Sequence, residues 1–290
     1  MRLKHSVSFL KEELQMNFTN NNGQGSDMFF DSHAHYYDNR FYGEENPKGA
    51  EALLEELFQS DVCGIVNIGT SARTNALCIA QAKRFDKMYA AVGIHPEDIA
   101  SSPLSLEEEL DALRELLQSR AENKIVALGE IGLDYYWTPF DKELQAECFE
   151  RQLLMAEEFD IPVVIHDREA HGDCFDAVLR HPRVRGVFHS YSGSAEMAKE
   201  LIRRGWFISF SGVVSFKNAA KVKEVAKVVP DDRILIETDA PYLAPHPFRG
   251  KLNHSGKLVY TAAALADARE DTVENIARLT CENTKRLFGI

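Results

Sequence analysis

Four histidines and two carboxylates stand where they could hold a divalent metal between them: His33, His35, Glu130, His166, His189 and Asp239. They close five apolar, strand-like runs: Phe29-Phe30-Asp31-Ser32-His33-Ala34-His35, Val126-Ala127-Leu128-Gly129-Glu130, Val163-Val164-Ile165-His166, Val187-Phe188-His189 and Leu235-Ile236-Glu237-Thr238-Asp239. Alternate residues of a strand share a face, so His33 and His35 point the same way. One histidine beside an apolar run is more often a hydrogen-bonded structural residue than a ligand. Six ligand types at the same end of five runs outweigh that reading. Imidazole mixed with carboxylate suits Zn, Mn, Fe or Ni, whereas an all-oxygen shell would suit Mg better. Two ions about 3.5–4 Å apart can share one carboxylate and activate one water, which is the chemistry of hydrolysis.

Weaker candidates surround these six. His95 ends the run before Pro96, where it either lines a pocket or braces a turn. Arg168 follows the His166 run and could meet a substrate or pair with Glu169. Arg249 and Lys251 lie in a proline-rich loop after the Asp239 run; they could clamp phosphates or be solvated loop charges. Tyr135, Tyr136 and Trp137 could stack on a base or anchor a loop. Ser192-Gly193-Ser194 could offer backbone N–H groups to a phosphate or simply cap a helix. His246 and His254 read as ordinary loop residues.

Strands are predicted at 28–33, 62–69, 88–94, 124–130, 162–166, 186–190, 206–211 and 234–238. Near-continuous apolar runs such as these fit parallel strands buried on both faces. Helical spacing fills the gaps: Ala50, Leu53, Leu54, Leu57 and Phe58 share one face, and further helices are expected near 73–85, 105–119, 140–158, 172–180, 195–204 and 217–228. Asp271-Thr272-Val273-Glu274 resembles a capping box opening a last helix to about Leu287. Such alternation fits a closed barrel or an open doubly wound sheet. Convergence of side chains from the first, fourth, fifth, sixth and eighth strands requires the last strand to lie near the first, so the expected class is α/β, a single (β/α)8 TIM barrel. The site of such a barrel lies at the C-terminal ends of its strands.

The 290 residues suffice for one such domain, expected over residues 28–290. Residues 1–27 hold a polar stretch, Asn17-Phe18-Thr19-Asn20-Asn21-Asn22-Gly23, and no apolar signal region, so a flexible extension is expected there. The net charge of −12 argues against coating nucleic acid through bulk charge, though not against gripping one or two phosphates in a pocket. Five cysteines without a CxxC pair read as reduced thiols of a cytoplasmic protein. There is no run of about 18 apolar residues to span a membrane.

The motifs in order are Asp31-Ser32-His33-Ala34-His35, Gly129-Glu130-Ile131-Gly132-Leu133-Asp134-Tyr135, His166-Asp167-Arg168-Glu169-Ala170, His189-Ser190-Tyr191-Ser192-Gly193 and Glu237-Thr238-Asp239-Ala240-Pro241-Tyr242-Leu243, followed by Arg249-Gly250-Lys251-Leu252-Asn253. Together they resemble the TatD family of metal-dependent deoxyribonucleases, over about residues 28–290. The resemblance implies that His33 and His35 bind a first metal, Glu130 bridges, His166 and His189 bind a second, and Asp239 touches the first metal and acts as general base. It implies two divalent ions (Mg, Mn or Zn), DNA strand ends or single strands as substrate, 3′-to-5′ exonuclease activity, and no obligate protein partner. An amide or ester hydrolase, such as an aminoacyl-tRNA deacylase, is the alternative, since the same water can attack a carbonyl and a fold does not choose its substrate. A non-enzymatic scaffold is disfavoured by the complete ligand set. Ser190-Tyr191 and Asn253-His254-Ser255 depart from the family's usual Cys-Phe and Asn-Glu-Pro; neither removes an expected ligand, and the second could alter substrate contacts.

Overall fold

A computed structural model describes residues 28–290; the extension expected over 1–27 lies outside the described residues. The elements run β1 (Phe29–Ala34), α1 (Gly49–Phe58), β2 (Val62–Ile68), α2 (Ala72–Arg84), β3 (Met88–Val92), α3 (Pro96–Ile99), α4 (Leu106–Gln118), β4 (Ile125–Asp134), α5 (Lys142–Phe159), β5 (Val163–Arg168), α6 (His171–Arg180), β6 (Gly186–Phe188), α7 (Ala195–Arg203), β7 (Phe207–Phe210), α8 (Ala220–Val228), β8 (Ile234–Ile236), α9 (Leu258–Arg269) and α10 (Val273–Phe288). The strands pair in chain order, all parallel. This is the expected (β/α)8 barrel.

The seam between β8 and β1 is made differently from the other junctions. Beyond the end of β8, the Asp239 N–H donates to the His33 carbonyl (2.9 Å) and the His35 N–H to the Ala240 carbonyl (2.6 Å). Side chains do the rest. Asp31 accepts from the Thr238 N–H (2.9 Å), the Thr238 hydroxyl (2.6 Å) and the Ser255 hydroxyl (2.6 Å). Burial pushes the Asp31 carboxyl up to about 6, against the pull of those donors.

One apolar core lies between strands and helices. A second holds a residue from every strand, Phe30, Val66, Ala91, Ala127, Val164, Val187, Phe207 and Leu235, closed off by Cys281, Leu287 and Phe288 of α10. This is the packed barrel interior. Inward positions recur every second residue. Two steps beyond Val164, Val187 and Leu235 come His166, His189 and Glu237, so the apolar filling gives way to polar groups at the C-terminal mouth.

Three elements differ most from expectation, one of them the short α3, which was not read from the sequence. β4 continues past Glu130 to Asp134. The helix α9 was not read from the sequence, because Leu258-Val259-Tyr260-Thr261-Ala262-Ala263-Ala264-Leu265 is apolar almost all round and shows no stripe. At α10, Thr272 is the N-cap, accepting from the Asn275 N–H, and Gly289 ends the helix with φ of +71°.

Candidate metal centre

Glu130 occupies the middle of the mouth because β4 is irregular there. Its pairing with β5 shifts register between Leu128 and Ile131. Glycines permit the close approach: a Cβ on Gly132, where φ is +145°, would lie 1.9 Å from the His166 carbonyl oxygen, and one on Gly129 would lie 2.7 Å from the Val164 side chain. The chain leaves β6 and β8 through left-handed residues, Ser190 (φ 39°) and Asp239 (φ 54°), the latter a type that tolerates this conformation.

All six expected ligands converge, and Glu130 divides them into two groups. On its Oε2 side, His33 Nε2 lies 3.3 Å and His35 Nε2 3.7 Å away. Asp239 Oδ1 completes that group, 3.6 Å from His33 Nε2 and 3.4 Å from His35 Nε2, and the two imidazole nitrogens are 3.1 Å apart. His33, His35 and Glu130 thus present ligand atoms close enough together to hold a metal ion, and Asp239 stands beside both histidines. On the Oε1 side, His166 Nδ1 lies 2.7 Å and His189 Nε2 2.8 Å away, with 3.3 Å between the two nitrogens. Three protein donors leave room for water or substrate.

The outer nitrogens fix which inner nitrogens are lone pairs. His35 Nδ1 faces the Ile68 carbonyl (2.8 Å), His166 Nε2 faces Asp134 Oδ2 (2.9 Å) and His189 Nδ1 faces Glu237 Oε1 (3.2 Å). With the inner nitrogens turned to a cation, these outer nitrogens would carry the proton of each neutral ring. The inner nitrogens are then acceptors aimed at one another and at carboxylates, an arrangement that calls for cations. Among the described residues His33 Nδ1 is buried without a hydrogen-bond partner, so its tautomer is not set this way. Burial opposes ionisation of Glu130, but His189 and His33 beside it hold its carboxyl well below the usual range. Burial likewise opposes charge on His166, yet its bonds to Asp134 and Glu130 raise it to about 9. Asp239 is also held low, against burial, chiefly by its bond with His35.

His95 stands beside the cluster, with Nε2 3.7 Å from Glu130 Oε1 and its ring 4.3 Å from that of His166. It also caps α3, its Nδ1 accepting from the Glu97 N–H at 3.1 Å. Burial, with His166 next in weight, lowers it to about 3, so it stays neutral. Arg168 lies 4.0 Å over the Tyr136 ring and 5.2 Å from that of Trp137. Those two rings are 51% and 52% exposed and so open to a ligand, whereas Tyr135 is tied to Asp173 by a 2.8 Å bond and stacks on Phe140. Arg249 and Lys251 line a cleft of about 630 Å³ with Arg40, Tyr242, Glu44 and Glu45. Ser194 is a plain N-cap, accepting from the Met197 N–H.

Sequence reading missed Asp134 and Glu237, which orient His166 and His189. For Asp134 the alternation of Glu130, Gly132 and Asp134 is a signal only once β4 is known to run to Asp134. In Asn253-His254-Ser255 the first and last residues have structural partners. Asn253 is fully buried and donates to the Thr238 and Tyr242 carbonyls at 2.8 and 2.7 Å, and Ser255 serves Asp31. Both hold the seam.

The sequence model of a family described as TatD related DNase matches residues 30–289. The chain belongs to this family. It is 40% identical over 265 residues to YabD of Bacillus subtilis (strain 168), described as an uncharacterized metal-dependent hydrolase, across 91% of this chain and 100% of that one. It is also 40% identical over 208 residues to YcfH of Escherichia coli (strain K12), across 71% and 75%. The crystal structure of YjjV, a TatD homolog from Escherichia coli K12, superposes with a TM-score of 0.81 at 30% identity, covering 90% of this chain and 98% of that one. This TatD-family protein is thus a metal-dependent hydrolase. None of its described helices is long and apolar enough to cross a membrane.

Proposed function

We propose that residues 28–290 form a phosphodiester hydrolase that removes nucleotides from DNA ends, in the 3′-to-5′ direction, within the reducing cytoplasm. The observation that carries this reading is the flanking of the ligand cluster. The cleft holding Arg249 and Lys251 begins at Pro241 and Tyr242, and the Tyr242 ring is 6.2 Å from that of His35. Cations there suit a phosphodiester backbone, and the exposed Tyr136–Trp137 pair under Arg168 suits an unstacked base. A mouth framed by loops on a barrel suits a strand end better than the side of a duplex.

His33, His35 and Asp239 would hold one divalent ion with Glu130, and His166 and His189 a second with the same carboxylate. Bound there, the ions lower the pKa of a water toward neutrality and neutralise developing phosphate charge. Asp239, ionised and at the Oε2 edge of Glu130, accepts the proton that the water releases. Arg249 and Lys251 hold the phosphate against the cluster. Asp134 and Glu237 keep the imidazoles in the ligating tautomer.

Hydrolysis of an ester or amide, as in an aminoacyl-tRNA deacylase, is the second reading. Glu44 and Glu45 favour it by sharing the cleft with the cations and weakening its pull on a polyanion. Protein reconstituted with Mn or Zn is to be given a single-stranded oligonucleotide with a labelled 3′ nucleotide, beside an aminoacyl ester. Early release of the labelled 3′ nucleotide supports the first reading; faster hydrolysis of the ester moves the assignment to the second.

A further inference from the structure

The imidazoles around Glu130 fall into two kinds. His35, His166 and His189 turn their outer nitrogens toward acceptors, which in a neutral ring would leave the inner nitrogens as lone pairs for a cation. His95 is reversed. Its outer Nδ1 accepts the Glu97 N–H at 3.1 Å. A neutral imidazole has one donor and one acceptor nitrogen. Nε2 of His95 therefore carries the proton and aims it into the site, 3.7 Å from Glu130 Oε1. By distance alone His95 groups with Glu130 and His166 as a third cluster able to hold a metal. Its tautomer excludes ligation, because the nitrogen facing the cluster has no free lone pair.

We infer that His95 is a catalytic hydrogen-bond donor rather than a metal ligand, and that its Nε2–H serves the oxygen that leaves. The argument is positional and rests on the hydrolytic reading above. In-line displacement puts the attacking and departing oxygens on opposite sides of the reacting centre. Asp239 stands with the group at Glu130 Oε2, and His95 stands at Oε1, the other edge of the same carboxylate. As water's oxygen bonds to phosphorus, its proton passes to Asp239. The bond to the leaving oxygen breaks and its electron pair stays on that oxygen, which His95 stabilises without giving up its proton. Protonation of the released alkoxide by solvent completes the balance. The backbone holds this donor rigidly. Gln152 of α5 donates to the Ile94 carbonyl (3.0 Å) and accepts from the Ile94 N–H (2.9 Å), fixing the residue before His95 from both sides.

The test compares His95→Ala, His95→Gln and His166→Ala. Metal content after saturation is read by elemental analysis, and turnover is read on an oligonucleotide and on a p-nitrophenyl phosphodiester, whose leaving oxygen needs little stabilisation. His95→Ala and His95→Gln should keep wild-type metal content while His166→Ala loses metal. For His95→Ala, kcat should fall about 10²-fold on the oligonucleotide, the scale of losing one oxyanion donor, and less than tenfold on the p-nitrophenyl diester. His95→Gln, which retains an N–H donor, should recover part of the loss. Metal loss in both His95 variants would make His95 a ligand and overturn the inference, whatever the substrate. An equal loss of kcat on both diesters would overturn the leaving-group role. If the wild type proves to cleave only acyl esters, the phosphodiester reading alone fails, and alkyl and p-nitrophenyl carboxylates then supply the same comparison.

Discussion

Asp239 and Asp134 are both acids held ionised by histidines of the cluster, His35 first for one and His166 for the other, and their placement gives them different work. Asp239 is in the cluster, at 3.4 Å from His35 Nε2. Asp239→Asn keeps an oxygen that can ligate but removes the proton acceptor. Metal content should stay near wild type while kcat drops by about 10²–10⁴, the usual contribution of a general base; a rate within tenfold of wild type would rule out the assignment. Asp134 meets the outer nitrogen of His166 and also accepts from the Tyr136 and Trp137 N–H groups; against burial, the His166 bond first and then these hold it at about 2. Asp134→Asn should weaken metal binding by roughly 10–100-fold with a smaller effect on kcat at saturating metal, as measured by titration calorimetry. The six inner residues were legible because each is a ligand type at the end of an apolar run. Asp134 and Glu237 were not, because a carboxylate that bonds a ligand's far side has no spacing rule of its own. Its parity along the strand shows only once the strand's true end is known.

The clearest test among the elements is the docking of α10. Cys281 on α10 lies 3.3 Å, sulfur to sulfur, from Cys63 on β2. The hydrogen bond with Cys63 lowers the Cys281 thiol from 9.0 to about 7, against burial. The folded state then binds fewer protons than the unfolded chain between those values, so this group adds stability as pH rises from about 7 to 9 and loses it as pH falls through 7. Cys281→Ser should flatten that slope, leaving the difference from wild type larger at pH 9 than at pH 6.5 in urea unfolding. A pH-independent difference would show that the thiol stays protonated. Most elements were legible for the same reason the ligands were: buried parallel strands are apolar runs, and outer helices carry one apolar stripe. The helix α9 escaped because Leu258, Thr261, Ala262, Leu265, Ala266 and Ala268 are buried on several sides, which erases the stripe. The late end of β4 escaped because its last inward residue is an acid rather than an apolar side chain.

For the whole barrel, closure is the vulnerable step. Closure was legible from the scatter of ligands along the chain, but the means of closure was not, since nothing in Asp31-Ser32-His33 announces a partner past residue 230. Asp31→Ala leaves three buried donors on Thr238 and Ser255 without their acceptor, at about 1–3 kcal/mol each. The melting temperature should fall by many degrees, and hydrogen exchange should quicken in peptides spanning β1 and residues 234–240 before the β4–β5 pair loosens. Unchanged exchange at the seam would assign closure to the two backbone bonds alone. The same latch sets a timetable for synthesis. Asp31 and Ser255 are separated by 224 positions. A ribosome therefore delivers His33 and His35 early, and the residues that enclose them arrive only when nearly the whole message has been read. A transcript cut short before Ser255 yields a chain with a buried acid it cannot satisfy, and so a chain disposed to be degraded rather than to fold as a partial enzyme.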